Sequence, residues 1–180
     1  MDNNKLNYSW YAVRVKSRSE KKVYADITEQ NIEAYLPLQR KLRQWSDRKK
    51  WVVMPLISGY VFVNISRKEY ETVLKTYNVV CYVHFQGKAA IIKDEDIALL
   101  KRMLGQIELQ LEITVENLKP GEMVEIIAGP LCGVIGELIH FQGKNKVALR
   151  MIPLGYTILV EASENNLRPL VNISDKPVIW

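Results

Sequence analysis

Residues 119–138, KPGEMVEIIAGPLCGVIGEL, constrain the fold of this 180-residue chain more than any other segment. Apolar and acidic residues alternate over residues 123–127, as they do in a half-buried β-strand. Gly129 and Pro130 end that strand, because glycine accepts positive φ angles and proline donates no backbone hydrogen bond. Gly133 and Gly136 bracket the start of the next strand. The segment therefore predicts two strands joined by a tight turn.

Short strands continue through the rest of the second half of the chain. Turn-forming residues separate the segments, and this spacing is typical of a small barrel. The predicted strands are residues 123–127, 134–140, 146–152, 156–161 and 167–170. Residues 171–180 are predicted to be a tail.

The first half of the chain predicts an α+β domain, with an antiparallel or mixed sheet flanked by helices. Its predicted strands are residues 9–15, 33–39, 58–65 and 79–85, and residues 40–51 predict a basic hairpin with its tip near Ser46 and Asp47. Its predicted helices are residues 17–31, which Ser19 caps, residues 66–77, and residues 94 to about 109. Ser66 and Glu69 form a capping box for the second helix, whose apolar side carries Tyr70, Val73, Leu74 and Tyr77. Residues 110–117 lack a clear periodicity and predict a linker.

Charge is distributed unevenly along the chain, whose formal net charge is +5. Residues 40–50 carry six cationic side chains against Asp47, whereas residues 118–170 balance five cations with five carboxylates. No apolar stretch approaches the roughly 20 residues that a membrane helix needs, and the N-terminus lacks the apolar core of a signal peptide. We therefore expect a cytoplasmic protein without membrane contact, and the two cysteines are too few for a disulfide framework.

Three motifs together resemble one protein family. Residues 10–13 read WYAV and residues 55–63 read PLISGYVFV, and both resemble the N-terminal domain of NusG. The run PG-x-x-V-x-I-x-x-G-P-x-x-G-x-x-G resembles the KOW motif, which opens an SH3-like barrel. On these motifs the chain is identified as a member of the NusG/RfaH family. The resemblance implies a NusG N-terminal-like domain at residues 8–109, a linker at 110–117, a KOW barrel at 118–170 and a tail at 171–180.

The resemblance also implies a function. Proteins of this family are non-enzymatic transcription elongation or antitermination factors that dock the N-terminal domain on the clamp of RNA polymerase and suppress pausing or termination. Their KOW domain recruits a further partner, such as a ribosomal protein or Rho, and a monomer is expected. Ile57 and Ser58 stand where Phe-Pro is usual, and Leu131 replaces the partner-binding Phe of the KOW loop. These departures favour a specialised paralogue, by analogy with those that act on capsular polysaccharide operons.

The strand at residues 58–65 carries the candidate polymerase site. Tyr60 and Phe62 share one face of it, opposite the face of Val61. Both faces are apolar, so either helices cover both or part of one face is an exposed patch for a partner. The resemblance favours the second interpretation. The predicted polymerase-binding residues are Leu56, Ile57, Tyr60, Phe62 and Phe85.

Basic residues of the first half form the candidate nucleic-acid site. Lysine and arginine neutralise phosphates without reading sequence, and an aromatic ring can stack on an unpaired base. The predicted residues are Lys16, Arg18, Arg67, Lys68, Tyr70 and Lys75, with the DNA of the transcription bubble, including its non-template strand, as the ligand. For any one lysine or arginine the alternative is a solvated surface. The basic hairpin, which Trp45 and Trp51 flank, suits contact with nucleic acid or polymerase, or is a solvated tip.

Two rival functions are less consistent with the sequence. A ribosome-associated or RNA-binding KOW protein would need a basic barrel, and residues 118–170 are neutral. An enzyme would need a catalytic constellation, and the chain has no phosphate-binding glycine loop. Cys81 and His84 could form half of a zinc site, but Cys132 and His140 have the wrong spacing for the other half. No cofactor and no metal are predicted.

Overall fold

The computed structural model of this chain describes residues 7–45, 48–106, 111–116 and 118–170. The chain divides into two compact units, Met1–Ala98 and Leu99–Trp180. The predicted α+β class is confirmed, since a helix-flanked sheet precedes a unit built largely from strands. The hairpin tip at Ser46 and Asp47 and the predicted tail at residues 171–180 lie outside the described residues.

The first unit is built around an antiparallel sheet with the strand order β2-β5-β1-β6, in which β9 also pairs with β1. Separate two-stranded ribbons are formed by β3 with β4 and by β7 with β8. The helix α3 spans the boundary between the units. The elements are β1 (Ser9–Val15), α1 (Glu20–Glu29), β2 (Glu33–Tyr35), β3 (Leu38–Gln44), β4 (Lys49–Pro55), β5 (Tyr60–Ile65), α2 (Tyr70–Lys75), β6 (Val79–Tyr82), β7 (His84–Phe85), β8 (Lys88–Ala89), β9 (Ile91–Ile92) and α3 (Asp94–Leu104).

One face of the central strands carries the core of this unit. Val13 of β1 lies opposite Val61 of β5, and both are fully buried. Side chains alternate along a strand, so Val63 joins them on the same face. Val23 and Ile27 of α1, four residues apart, pack on this face.

The helix ends differ from the predictions. Ser19 makes no capping hydrogen bond with its side chain, and its backbone, at φ −102° and ψ 1°, is outside the extended region that an N-cap residue usually adopts. The Ser66 and Glu69 pair is half of a capping box, since the Glu69 carboxylate accepts from both the backbone N–H and the hydroxyl of Ser66 at 2.8 Å. The helix α2 ends at Lys75 because Thr76 is extended. Tyr77 is therefore 68% exposed rather than part of the packed stripe.

The second unit is a six-stranded antiparallel sheet with the order β10-β14-β13-β12-β11-β15. The five predicted strands are confirmed within a few residues, and a further strand, β10, lies in the segment predicted as a linker. The sequence of β10 lacks a clear periodicity, but each of its four residues pairs with a residue of the neighbouring strand β14. This pairing makes the segment a strand. The strands are β10 (Leu111–Thr114), β11 (Glu122–Ile126), β12 (Ile135–Phe141), β13 (Lys144–Met151), β14 (Tyr156–Glu161) and β15 (Leu167–Pro169).

Two glycines of residues 119–138 are required by close packing. A Cβ atom on Gly121 would lie 1.9 Å from the carbonyl oxygen of Leu138, and one on Gly136 would lie 2.5 Å from Cγ1 of Val147. Neither distance permits a side chain. The glycines therefore allow β11 and β13 to approach β12 closely.

Candidate functional site

An exposed aromatic ring flanked by two ammonium groups lies at one end of the first unit. The Nζ atoms of Lys16 and Lys22 lie 5.7 Å and 5.3 Å from the ring centroid of Tyr77. The backbone N–H of Lys16, just after β1, donates to the carbonyl of Asn78 at 2.9 Å, which holds the segment after α2 beside the end of β1. We call Lys16, Lys22 and Tyr77 the Tyr77 cluster. The distances are those of cation–π contacts, and the cluster offers an aromatic face and two positive charges to solvent.

The predicted phosphate-binding residues all lie on the surface of this unit. The structure places Lys16 in the Tyr77 cluster, and Arg67 and Lys68 in the turn between β5 and α2. Arg18 and Lys75 are also exposed. Their charges are available to a ligand, although no contact joins the five residues into one group.

Sequence reasoning missed Lys22 and misplaced Tyr77. The apolar spacing of α2 extends through Tyr77, so the pattern alone predicts a packed side chain. The helix instead ends at Lys75, which turns Tyr77 outward. The exposed face of α1, which follows from its buried stripe at Val23 and Ile27, was the available signal for Lys22.

Tyr70 does not present an open stacking platform, so that prediction is wrong. Its ring is stacked on Tyr82 with centroids 3.9 Å apart, and it meets Tyr11 edge to face at 6.3 Å. The hydroxyl of Tyr82 donates to the carbonyl of Tyr70 at 3.0 Å. Burial raises the pKa of the Tyr70 and Tyr82 phenols above the usual value. These rings flank the core, whereas the Tyr77 ring is exposed.

Three of the predicted polymerase-binding residues are buried. Phe62 is 0% exposed, Ile57 is 1% exposed and Leu56 is 6% exposed. Phe62 packs near Tyr35, with ring centroids 6.4 Å apart. The prediction that these three side chains form an exposed patch is therefore wrong, and the alternative of a strand buried on both faces is right at Phe62.

Tyr60 and Phe85 retain exposed surface. Tyr60 is half-buried at the start of β5, and Phe85 is 41% exposed at the end of β7. Phe85 lies opposite Lys88 in the short β7–β8 ribbon. Of the five predicted polymerase-binding side chains, Tyr60 and Phe85 are therefore the two that remain accessible to a partner.

A buried carboxylate anchors the loop that precedes Tyr60. Oε1 of Glu20, which is 7% exposed, accepts a hydrogen bond from the N–H of Gly59 at 2.8 Å. The carbonyl of Gly59 accepts from the N–H of Val15 at 2.9 Å. Gly59 has a φ of 82°, which favours glycine. These contacts fix where Tyr60 enters the sheet.

Leu131, the predicted partner-binding side chain of the second unit, is 3% exposed. The guanidinium of Arg102 donates to the carbonyls on both sides of it, to Pro130 at 2.9 Å and to Cys132 at 2.7 Å. The expectation of an exposed apolar contact is therefore wrong for this structure, because two charge-assisted hydrogen bonds hold the loop with Leu131 turned inward.

The described residues bear also on metals and membranes. Across residues 7–45, 48–106, 111–116 and 118–170, no three histidine, cysteine or acidic side chains group closely enough to hold a metal ion. Cys81 and Cys132 are free thiols. Among the helices of these residues, none has the length and apolar character needed to span a membrane.

Comparison with solved structures supports the fold. A structure of Thermotoga maritima NusG matches at 24% identity and a TM-score of 0.52, covering 89% of this chain and 96% of that one. Two crystal structures of the MjSpt4:Spt5 complex, in conformations B and A, match at 19% and 18% identity with TM-scores of 0.32 and 0.31. Each covers 89% of this chain, and they cover 96% and 97% of those chains.

Comparison with sequences gives the family. No curated protein matches this chain. The family model described as transcription termination factor nusG matches residues 8–101, slightly more than half of the chain. The matched segment contains the central sheet, the Tyr77 cluster and the Gly59 loop. The chain therefore belongs to the NusG family.

Proposed function

We propose that this protein is a non-enzymatic, RNA polymerase-bound elongation factor that suppresses pausing or termination. The match of residues 8–101 to the NusG family carries the proposal. The exposed Tyr77 cluster supports it, because the cluster has the chemistry that single-stranded nucleic acid needs and lies within the matched segment. The protein acts as a cytoplasmic monomer whose N-terminal domain, residues 8–109, binds the clamp.

Tyr60 and Phe85 are the proposed polymerase contacts. Aromatic side chains contribute large apolar area to interfaces at a small entropic cost. The Glu20 carboxylate and the Gly59 backbone hold Tyr60 in place before binding, which reduces the ordering that the complex requires.

The Tyr77 cluster, with Arg18, Arg67, Lys68 and Lys75, is the proposed site for the non-template strand of the transcription bubble. A base stacked on an aromatic ring gains about 1 to 3 kcal/mol, and each neutralised phosphate adds salt-dependent affinity. Replacing Lys16, Arg67 and Lys68 by Gln should therefore flatten the salt dependence of binding to bubble DNA. Equal affinity of the wild-type protein from low to high salt would contradict this assignment.

The second unit, with its proposed KOW barrel at residues 118–170, recruits a further protein such as a ribosomal protein or Rho. The Leu131 loop would serve this role after release from Arg102. The departures at Ile57, Ser58 and Leu131 support a specialised paralogue of the kind that acts on capsular polysaccharide operons.

Transcription in vitro across a pause site tests the proposal. The wild-type protein should shorten the pause and co-migrate with elongation complexes, and Tyr60→Ala or Phe85→Ala should weaken both effects. Tyr24→Ala, an exposed tyrosine on α1 (37% exposed), is the matched control and should behave as the wild type. Co-migration with ribosomes and not with polymerase would refute the proposal and favour the ribosome-associated alternative.

A further inference from the structure

The ribbon formed by β3 and β4 has two chemically different faces. Residues directly opposite in an antiparallel pair share a face, and Arg43 pairs with Lys50 while Lys41 pairs with Val52. On the other face, Leu42 pairs with Trp51, Arg40 pairs with Val53 and Gln44 pairs with Lys49, so this face combines an aromatic ring with two cations. We call the first the cationic face, which presents Lys41, Arg43 and Lys50, and the second the aromatic face.

The aromatic face contains a cation–π contact between two of its own side chains. The guanidinium of Arg40 lies 5.6 Å from the ring centroid of Trp51, so one cation of the ribbon has an intramolecular partner. Within the described part of the chain, the side chains of Lys41, Arg43 and Lys50 form no hydrogen bond or ion pair, and all three are exposed.

The cationic face destabilises the ribbon that carries it. Like charges directly opposite each other on neighbouring strands repel, and Arg43 and Lys50 are such a pair. The ribbon is a separate two-stranded sheet, and an isolated two-stranded hairpin is only marginally stable. A ligand with a dense negative charge would remove this repulsion and stabilise the ribbon. Charge complementarity therefore identifies the ligand of the ribbon as a polyanion.

The shape of the ribbon favours a DNA duplex among polyanions. Each strand has seven residues and is about 20 Å long at 3.4 Å per residue, which is roughly two-thirds of a DNA helical turn. The major groove of B-form DNA, about 12 Å wide, admits a two-stranded ribbon. The major groove of A-form RNA is too deep and narrow for side chains to enter.

We propose that the β3–β4 ribbon is a binding element for duplex DNA, with Lys41, Arg43 and Lys50 lying against the phosphates that border a groove. The element is distinct from the Tyr77 cluster, which offers a stacking ring for unpaired bases. Duplex DNA has one negative charge per 1.7 Å of its axis, so a cationic face of this length meets several phosphates without any need for a specific sequence. The purified protein therefore binds duplex DNA in the absence of RNA polymerase.

Fluorescence anisotropy with the full chain tests the proposal. The probe is a labelled blunt duplex of about two helical turns, and the variant is K41Q/R43Q/K50Q. Three lost phosphate contacts should make the negative slope of log K against log salt shallower by about 2.7. They should also weaken binding at least about tenfold near 0.1 M salt. The matched control is K88Q/K93Q/K119Q, which removes the same charge from exposed positions elsewhere and should keep most of the affinity and the slope.

The outcomes separate the proposal from its alternatives. Equal losses in the ribbon variant and the control, or wild-type affinity in the ribbon variant, would overturn it. A larger loss of affinity in the ribbon variant for a single strand of the same sequence, or for an RNA duplex, than for the DNA duplex would overturn the choice of ligand. The melting temperature of the ribbon variant should not fall, because the substitution removes the repulsion between Arg43 and Lys50.

The proposed polymerase contact is measured separately in the same proteins. The ribbon variant should still co-migrate with RNA polymerase, since Tyr60 and Phe85 are unchanged. If the wild-type protein fails to bind polymerase, the proposed function fails while the duplex measurement stands. If the ribbon variant loses polymerase and keeps duplex DNA, the cationic face serves a protein surface and the inference is wrong.

Discussion

The ion pair between Glu137 and Arg150 should contribute substantially to the stability of the second unit. Nε and Nη2 of Arg150 donate to the two carboxylate oxygens of Glu137, each at 2.8 Å. Nη2 also donates to the carbonyl of Leu118 at 2.9 Å, and the N–H of Gly121 donates to Glu137 at 3.3 Å. The side chains are 14% and 22% exposed. The pair therefore connects β12 and β13 to the segment that precedes β11.

Replacing Glu137 by Gln removes one charge and keeps the size of the side chain. The amide offers one acceptor where the guanidinium needs two, and its NH₂ group faces a donor. Breaking a fully buried pair costs about 3 to 5 kcal/mol, and a hydrogen bond to a charged group contributes about 1.5 to 3 kcal/mol. Because both side chains keep some solvent contact, we expect a loss of about 2 to 3 kcal/mol.

The loss should depend on pH in a defined direction. The hydrogen bonds from Arg150, its main cause, lower the pKa of Glu137 below its ordinary value of 4.5. A carboxyl whose folded pKa is lowered contributes its full stabilisation above the unfolded pKa, and loses it as pH falls through the folded pKa. The difference between the wild-type protein and Glu137→Gln should therefore be largest near neutral pH and shrink below about pH 4.5.

Urea unfolding followed by the amide signals of β12 and β13 measures this effect unit by unit. Glu161→Gln is the control, since its partner Lys144 is 61% exposed and the pair is screened by solvent. The control should hardly change stability. A loss below about 0.5 kcal/mol for Glu137→Gln near pH 7, or an equal loss at pH 3, would refute the reasoning.

Three further substitutions test contacts at the candidate sites. Glu20→Gln removes the charged acceptor of Gly59, so stability of the first unit should fall by about 1 to 2 kcal/mol in chemical denaturation and polymerase affinity should fall with it; unchanged values would show that the anchor is dispensable. Arg102→Gln should increase the rate of amide exchange in the Leu131 loop by about tenfold or more. Unaltered protection would show that other contacts fix this loop. Gly121→Ala should cost about 3 kcal/mol or more, because the added methyl meets the Leu138 carbonyl, and a melting temperature equal to that of the wild type would contradict this packing.

Most strands of both units were predictable from the sequence because their signals are local, but the short strands β8 and β9 were not predicted. Alternation at residues 9–15 and the glycine and proline turns after Ile127 specify extended segments and their ends. The β10 strand was not predictable, since four residues with mixed polarity acquire their structure from pairing with β14. The same holds for the early end of α2, where the extended backbone of Thr76 overrides an apolar pattern that continues to Tyr77.

The candidate sites were predictable in residue type more than in exposure. Lysines and arginines remain at the surface because burying an unpaired charge is costly, so Lys16, Arg67 and Lys68 lie where composition places them. An aromatic side chain carries no such constraint. Phe62 and Tyr70 are packed while Tyr77 and Phe85 are exposed, and sequence patterns do not distinguish these outcomes.

The sequence by itself determined the family, the succession of most strands along the chain and the concentration of positive charge in the first half. These follow from motifs and periodicities that each segment carries locally. The tertiary structure alone decided which apolar side chains are available to a partner and which faces of the β3–β4 ribbon carry the charge. The physical reason is that exposure and cross-strand neighbours are properties of the folded chain. The register of the hairpin places Arg43 opposite Lys50, and the Arg102 hydrogen bonds that turn Leu131 inward join residues distant in sequence.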